Sequence, residues 1–319
     1  MLQRLQRFKS GSLVVFRQGK DRLVNRDVTR NRLATTVVSV IVVVFALAFY
    51  YTNGFGFLGI HPRESLAEYQ WGELKLIANM IAAADSDEEG IEIAKRFNLC
   101  REDGTLDPEN TKTMVFADKS GKQDLRIIGF RHDKVAGREA VYGITFCFVG
   151  SVDSGPFYDA DWFAKGDTGW EASTLRSTVD DYVGTPPSYH DKFPVDLGRK
   201  IQAAEKSSTV ENGGLGGKAS STADRVFVLS YEELFGAPNP LSGNDSSLGA
   251  ASARAAQYQY FAEYFGKGKD GAFEEEAYPF WLRTSADGNE LDYLAVVANG
   301  EVEQFAARET LKVIVGFCL

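Results

Sequence analysis

Four oxygen-bearing side chains crowd one short stretch: Asp287, Asn289, Glu290 and Asp292. Carboxylate and amide oxygens gathered in this way are the ligands that calcium takes. Their spacing matches no known calcium loop, so a solvated turn stands beside calcium as a reading. Just upstream, Trp281 and Arg283 alternate with Phe280 and Leu282, and on a strand one such pair faces the core while the other points away. Either Trp281 and Arg283 reach a ligand, or Trp281 is core and Arg283 pairs with a nearby carboxylate. Downstream, Glu301, Glu303 and Gln304 would extend an acidic face along a returning strand. The candidate ligand-binding set is therefore Trp281, Arg283, Asp287, Asn289, Asp292, Glu301 and Glu303.

Catalytic chemistry is harder to find. His61, His132 and His190 are scattered, and neither a paired-histidine motif, a nucleophile elbow nor a phosphate loop occurs. Gly213-Gly214-Leu215-Gly216-Gly217 has the glycines of a phosphate cradle without the strand before it or the helix after it. Cys100, Cys147 and Cys318 lack metal-ligand spacing. Two of them could form a disulfide, or all three are buried thiols acting as small apolar residues. No catalytic or metal-ligating residue is assigned.

These residues need elements to hold them. The C-terminal stretch reads as a strand over 278–283, a polar turn, a strand over 291–298, an Asn299-Gly300 turn, a return strand and a closing strand through Gly316-Phe317-Cys318. Asn-Gly suits a two-residue turn with both central residues at positive φ. Upstream, Ser65-x-x-Glu68 is a capping-box signal before Tyr69, Leu76, Ile77, Met80, Ile81 and Ala84, spaced for one helix face. A second helix is predicted over 88–97, then strands over 113–117 and 124–130 around Lys119-Ser120-Gly121-Lys122. Ile144, Phe146 and Phe148 alternate in a further strand. Leu175, Val179 and Tyr182 form a helical stripe with Arg176 on another face, and Phe193, Leu197 and Ile201 another, with Pro194 in its first turn. Residues 207–223 read as a polar loop, 225–229 as a strand, Ser230-x-x-Glu233 as a helix cap, 237–250 as a second loop, and 255–265 as an aromatic helix. The expected class is α+β, with mixed, mostly antiparallel sheets and several short helices.

Charge is unevenly placed. Residues 1–32 hold nine basic residues against Asp21 and Asp27, a net +7; the whole chain carries −9, so −16 falls on the remainder. An acidic body argues against a nucleic-acid groove, which needs a basic field. Leu33 to Tyr51 is 19 uncharged residues, about the length that crosses a hydrocarbon core of roughly 30 Å. Tyr50 and Tyr51 sit where aromatic rings favour the interface, and the positive-inside rule puts the basic arm in the cytoplasm. A cleaved signal peptide ending near Ala46-Leu47-Ala48 and a buried soluble helix are the competing readings. The expected organisation is a basic cytoplasmic arm (1–32), a transmembrane helix acting as signal anchor (33–53), a linker (54–62) and an extracytoplasmic α+β domain (63–319).

Several segments, in order, resemble one bacterial family, the domains of unknown function 6273 (DUF6273). Trp71-Gly72-Glu73-Leu74 resembles its opening helix, and Arg126-Ile127-Ile128-Gly129-Phe130-Arg131-His132-Asp133 its first strand motif. Gly143-Ile144-Thr145-Phe146 and Gly169-Trp170-Glu171-Ala172-Ser173-Thr174-Leu175-Arg176 are similar to the next two. Asp224-Arg225-Val226-Phe227-Val228-Leu229-Ser230, Glu233-Leu234-Phe235-Gly236, Trp281-Leu282-Arg283-Thr284-Ser285 and Val315-Gly316-Phe317-Cys318-Leu319 complete the series. The resemblance spans roughly 68–319. It departs from the pattern at Asp159-Ala160-Asp161-Trp162, at Val179-Asp180-Asp181 and at Ser285, where a proline is lost; these bear on the ligand more than on the fold. The resemblance implies a membrane-anchored or secreted bacterial protein, with an ending similar to C-type-lectin-like and formylglycine-generating-enzyme-like folds. The expected function is thus a single-pass surface protein, anchored in the bilayer through Leu33 to Tyr51. Its ectodomain would bind an envelope glycan or protein, with no cofactor beyond the calcium weighed above. A cell-envelope enzyme or accessory, and a structural subunit of an envelope assembly, are the alternatives.

Overall fold

The computed structural model describes residues 60–159, 169–184, 192–210, 218–237, 255–264, 278–286 and 291–319. The basic arm, the apolar stretch Leu33 to Tyr51 and the linker up to residue 59 lie outside them, as do Asp287, Asn289 and Glu290. The chain divides into two units, Met1–His61 and Pro62–Leu319. Every described helix and strand belongs to the second unit.

Two helices come first, α1 (Trp71–Ala82) and α2 (Asp87–Arg96), then strands β1 (Thr111–Val115), β2 (Lys122–Phe130), β3 (Ile144–Phe148) and β4 (Asp153–Gly155). Helices α3 (Thr174–Asp181) and α4 (Val195–Gly198) precede the hairpin β5 (Ala204–Val210) and β6 (Lys218–Asp224). After β7 (Val226–Val228) come α5 (Tyr231–Phe235) and α6 (Gln259–Tyr264). The chain ends in β8 (Phe280–Ser285), β9 (Asp292–Val296), β10 (Val302–Ala306), β11 (Leu311–Val313) and β12 (Val315–Cys318). One five-stranded sheet runs β1-β2-β3-β12-β7 and the other β10-β9-β8-β11-β4. Among the described strands every pairing is antiparallel except β8 with β11. The class is α+β with mostly antiparallel sheets, as the sequence pattern implies.

The strands of the C-terminal stretch divide between the two sheets. Strands β8 to β11 lie in the second sheet, whereas β12 sits inside the first, between β3 and β7. Only Ile314 separates β11 from β12, so one residue carries the chain from sheet to sheet. The alternation expected of β8 is also absent: Phe280, Trp281, Leu282 and Arg283 are all buried. As the middle strand of its sheet, with β5, β7 and α5 against it, β8 has no solvent face. Strand β3, flanked by β2 and β12, is buried throughout for the same reason.

The hairpin of β9 and β10 forms, but with a different turn. Only Gly300, at φ 80°, has positive φ there. Gly300 N donates to Val297 O at 2.8 Å and Val297 N to Glu301 O at 2.9 Å, a three-residue loop with a glycine bulge.

Local helix signals hold, with shifts. Ser86 Oγ caps α2 by accepting from Glu89 N at 3.2 Å. Ser65 and Glu68 frame a 3-10 turn, Leu66–Glu68, rather than opening α1. The reciprocal contact comes one turn later, Gln70 N donating to Glu73 Oε2 at 2.9 Å. The buried face of α1 is accordingly Trp71, Leu74, Ile77, Ala78 and Ile81, and Leu76 is exposed. The stripe at Phe193, Leu197 and Ile201 supports only the one turn of α4, with Pro194 as its N-cap. The largest correction is at 207–223. Strands β5 and β6 pair there in full register, and Lys206, Ser208 and Thr222 are buried.

Aromatic rings fill both cores. Phe317 lies 5.3 Å from Phe146 and 5.3 Å from Phe193, centroid to centroid, in the first. Phe157 stacks on Tyr293 at 3.5 Å in the second, where Tyr158 and Tyr293 share a hydroxyl hydrogen bond of 2.6 Å. Helix α1 closes onto β3 through Gly143, where an added Cβ would stand 1.9 Å from Ala78 O. Both atoms are backbone-fixed, so no rotamer change relieves the clash. Gly143→Ala is expected to lower stability by about 1–3 kcal/mol or more, read as a lower urea midpoint at unchanged m-value.

Candidate functional site

Four charges meet inside the fold. Asp133 follows β2, Lys206 is on β5, Glu233 on α5 and Arg283 on β8; each is at most 5% exposed. Local structure aims each of them. Arg131, at φ 52°, turns the chain after β2, and its guanidinium donates to Ile81 O (3.0 Å) and Ala82 O (2.7 Å) at the C-terminus of α1. Asp133 is then held by Tyr142 N donating to its carbonyl at 2.8 Å. Glu233 completes the predicted capping box: Glu233 N donates to Ser230 Oγ at 3.2 Å and Ser230 N to Glu233 Oε2 at 3.0 Å.

The side chains close into one network. Arg283 grips Glu233 with both ends of its fork, Nη1 to Oε2 at 2.6 Å and Nη2 to Oε1 at 2.7 Å. It also donates to Val228 O at 2.7 Å and Ser207 O at 3.3 Å. Lys206 Nζ donates to Asp133 Oδ1, to Glu233 Oε1 at 3.1 Å and to Tyr258 OH at 2.6 Å. It lies 3.5 Å from the Phe227 ring centroid. Tyr258 OH donates to both Asp133 oxygens, at 3.0 and 3.1 Å. Thr145 Oγ1 (2.5 Å) and Cys318 Sγ (3.4 Å) both donate to Oδ2. His132 lies tilted against Tyr258, centroids 4.1 Å apart, with Nε2 3.0 Å from Ala256 O. Two anions face two cations, so the cluster is neutral as a whole.

Burial and pairing compete at each group. Burial alone would raise Glu233, but Arg283 and Lys206 bring it down to about 2. Asp133 is likewise held below the carboxylate range: burial opposes this, and Lys206 with His132 prevails. Burial would lower Lys206, yet Asp133 and Glu233 leave it above its ordinary value. Burial pushes Tyr258 and Cys318 well above theirs. All three cysteines are free and buried, and burial pushes the Cys147 thiol up to about 12.

A second polar knot lies under α3. Asp224, 2% exposed, accepts from Trp170 Nε1 (2.7 Å), Arg176 Nε (2.6 Å) and Thr222 Oγ1 (2.7 Å). Next to it Arg225 pairs with Asp180, Nη2 to Oδ2 at 2.7 Å. Above this base a groove of about 310 Å³ opens, lined by Glu171, Ser173, Arg176, Ser177, Asp180 and Asp181. Carboxylates, hydroxyls and one guanidinium line it, a set that exchanges hydrogen bonds with a hydroxyl-rich ligand.

Of the residues singled out on the C-terminal stretch, Trp281 and Arg283 are buried rather than surface-facing. Trp281 is core, its Nε1 donating to Gly155 O at 2.8 Å. Arg283 belongs to the buried network. Asp287 and Asn289 lie outside the described residues. Asp292 accepts from Gln304 Nε2 at 2.5 Å, Glu301 Oε2 from Asn299 Nδ2 at 2.9 Å, and Glu303 is exposed on the edge strand β10. Among the described residues, no cluster of His, Cys, Asp and Glu could hold a metal ion, nor is any helix long and apolar enough to cross a membrane. Sequence reading missed Lys206, which stands just ahead of the polar run 207–223. The signal for it was Lys206-Ser207-Ser208-Thr209-Val210, where β-branched and hydroxyl residues fit a paired strand.

A protein-family model described as Domain of unknown function (DUF6273) matches residues 158–319, about half of the chain. No curated protein and no solved structure matches. Asp133 and Thr145 thus precede the matched region, while Lys206, Glu233, Tyr258, Arg283 and Cys318 fall within it.

Proposed function

From the premise that this chain belongs to the DUF6273 family, we propose that it is a single-pass membrane-anchored bacterial surface protein whose Pro62–Leu319 unit binds an envelope glycan or protein. The groove over α3 carries this reading. Arg176, Ser177, Asp180 and Asp181 lie on a helix tied down through Asp224 and Asp180, with Glu171 and Ser173 in the turn that leads into it, so the polar groups of the groove are pre-positioned rather than ordered on binding. It also lies within the matched family region, on the segment Gly169 to Arg176 that carries one of the resembling motifs. A C-type-lectin-like architecture is the finer reading of the two sheets. Support comes from the closing strand β12 set between β3 and β7, and from Arg283 on β8 joining the sheets through Val228 O. The acidic side chains Asp292, Glu301 and Glu303 offer a second face, to which calcium and the neighbouring Asp287 and Asn289 would belong. Anchoring rests on the uncharged stretch Leu33 to Tyr51 and the basic arm before it.

The test is glycan-array and envelope-polymer binding by the detergent-solubilised full chain, with and without calcium. Ser177, exposed and lining the groove, is the position to block. Ser177→Trp is expected to weaken binding at least tenfold, while Asp292→Asn with Glu303→Gln leaves it unchanged. The opposite pattern moves the site to the β10 face; binding insensitive to both sets of changes, or absent, overturns the reading. Protease shaving of intact cells is expected to remove the body and spare the arm.

A further inference from the structure

The geometry points to a covalent cross-link: we propose that Lys206 Nζ and Asp133 Cγ condense to an intramolecular isopeptide bond, with Glu233 carrying the proton between them. The reactants are already in place. The Lys206 amine touches Asp133 Oδ1, has Glu233 Oε1 at 3.1 Å, and sits over the Phe227 ring at 3.5 Å. Both partners are essentially excluded from water, at 1% and 4% exposure. In such a setting the ammonium–carboxylate pair is strongly desolvated, and its neutral tautomer, amine plus carboxylic acid, escapes much of that cost. Fixed contact supplies the effective molarity that condensation lacks in solution.

The two oxygens of Asp133 have different surroundings, and these assign the steps. Oδ1 faces Lys206; proton transfer from Nζ to Oδ1 leaves a neutral amine beside a carboxylic acid. Oδ2 accepts from Thr145 Oγ1, Tyr258 OH and Cys318 Sγ, three donors aimed where negative charge develops when the amine adds to Cγ. Glu233, kept anionic by the two-pronged grip of Arg283, takes a proton from Nζ and delivers it to the Oδ1 hydroxyl, which departs as water. One C–N bond forms, one C–O bond breaks, Oδ2 becomes the amide carbonyl and Glu233 returns to its starting state. No oxidant or cofactor is needed. Because Asp133 and Glu233 hold the Lys206 ammonium above its ordinary pKa despite burial, the reactive tautomer is the minor one. The bond therefore accumulates after folding rather than at once. It would tie a residue ahead of the family-matched region to one inside it, across 73 positions of sequence.

Mass spectrometry of the full chain tests this without reference to any ligand. The expected result is an intact mass lower by one water per chain, and a digest in which the peptides bearing Asp133 and Lys206 appear as one branched species. Lys206→Arg retains a cation but no amine nucleophile and is expected to restore the full mass. Full mass with two separate peptides, in protein both freshly purified and aged after folding, overturns the proposal. So does a water loss mapped to Asp287-Gly288, which marks a succinimide instead. The wild-type measurement decides the matter even where Lys206→Arg fails to fold.

Discussion

Arg283→Ala is expected to destabilise the Pro62–Leu319 unit by about 3–5 kcal/mol, the range for removing one partner of a buried ion pair. The cost arises less from the attraction lost than from what is left behind. Glu233 would keep a buried charge with Lys206 as its remaining cation, and Lys206 is already shared with Asp133. The Val228 and Ser207 carbonyls would lose their donor as well. Arg283→Lys recovers only part, because an ammonium cannot reproduce a two-pronged bond to a carboxylate. Urea unfolding of the three proteins reads the order directly. A loss below about 1 kcal/mol for Arg283→Ala, the size of an exposed pair, would mean that water reaches the cluster and that Arg283 is not its keystone.

Acid should unfold this domain over a window set by Glu233. Its folded pKa lies at about 2, below its ordinary 4.5, so its contribution is present above pH 4.5 and is lost as pH falls through 2. At about 1.4 kcal/mol per unit, that depression corresponds to roughly 3 kcal/mol. Asp133, also depressed, adds a loss of the same sign while it remains a free carboxylate. Glu232 runs the other way: burial raises its pKa, so its protonation on acidification favours the fold. Lys206 acts at the alkaline end, since its raised value gives stability that is present below its ordinary pKa and lost as pH rises through the folded one. Urea midpoints measured from pH 6 to pH 2 should fall steeply below 4.5. In Arg283→Ala that slope should flatten, because Glu233 loses the main cause of its depression; an unchanged slope would assign the acid transition to other carboxylates. Once Lys206 and Asp133 are joined neither titrates, and the window belongs to Glu233 with Arg283.

Part of the site is legible in the chain itself. Ser230-x-x-Glu233 announces a helix start because both bonds close within three residues, and the structure forms both. The same spacing is silent about Arg283 and Lys206 meeting that carboxylate. Trp281 and Arg283 stand out by type, and the reading in which Trp281 is core and Arg283 pairs with a carboxylate is the one that the structure presents. Lys206 looks like an ordinary charge in a polar run, because nothing local marks a lysine whose partners lie in other elements. Asn299-Gly300 marks a hairpin correctly, yet the turn type depends on the register of β9 against β10.

By itself, then, the sequence determined the α+β class, the Ser230-x-x-Glu233 helix cap, most strands, the charge imbalance, the uncharged stretch Leu33 to Tyr51 and the family motifs. All of these are written in composition or in spacings of a few residues, where backbone geometry alone links type to structure. Only the tertiary structure decided that β12 leaves its neighbours for the other sheet, that β8 is buried on both faces, that 204–224 is a hairpin and that four charges share one interior. The physical reason is distance along the chain: partners of the cluster are separated by 27 residues for Lys206 with Glu233 and by 185 for Asp133 with Cys318. Burial, which turns an ordinary lysine and aspartate into a reactive pair, is a property of everything packed around them.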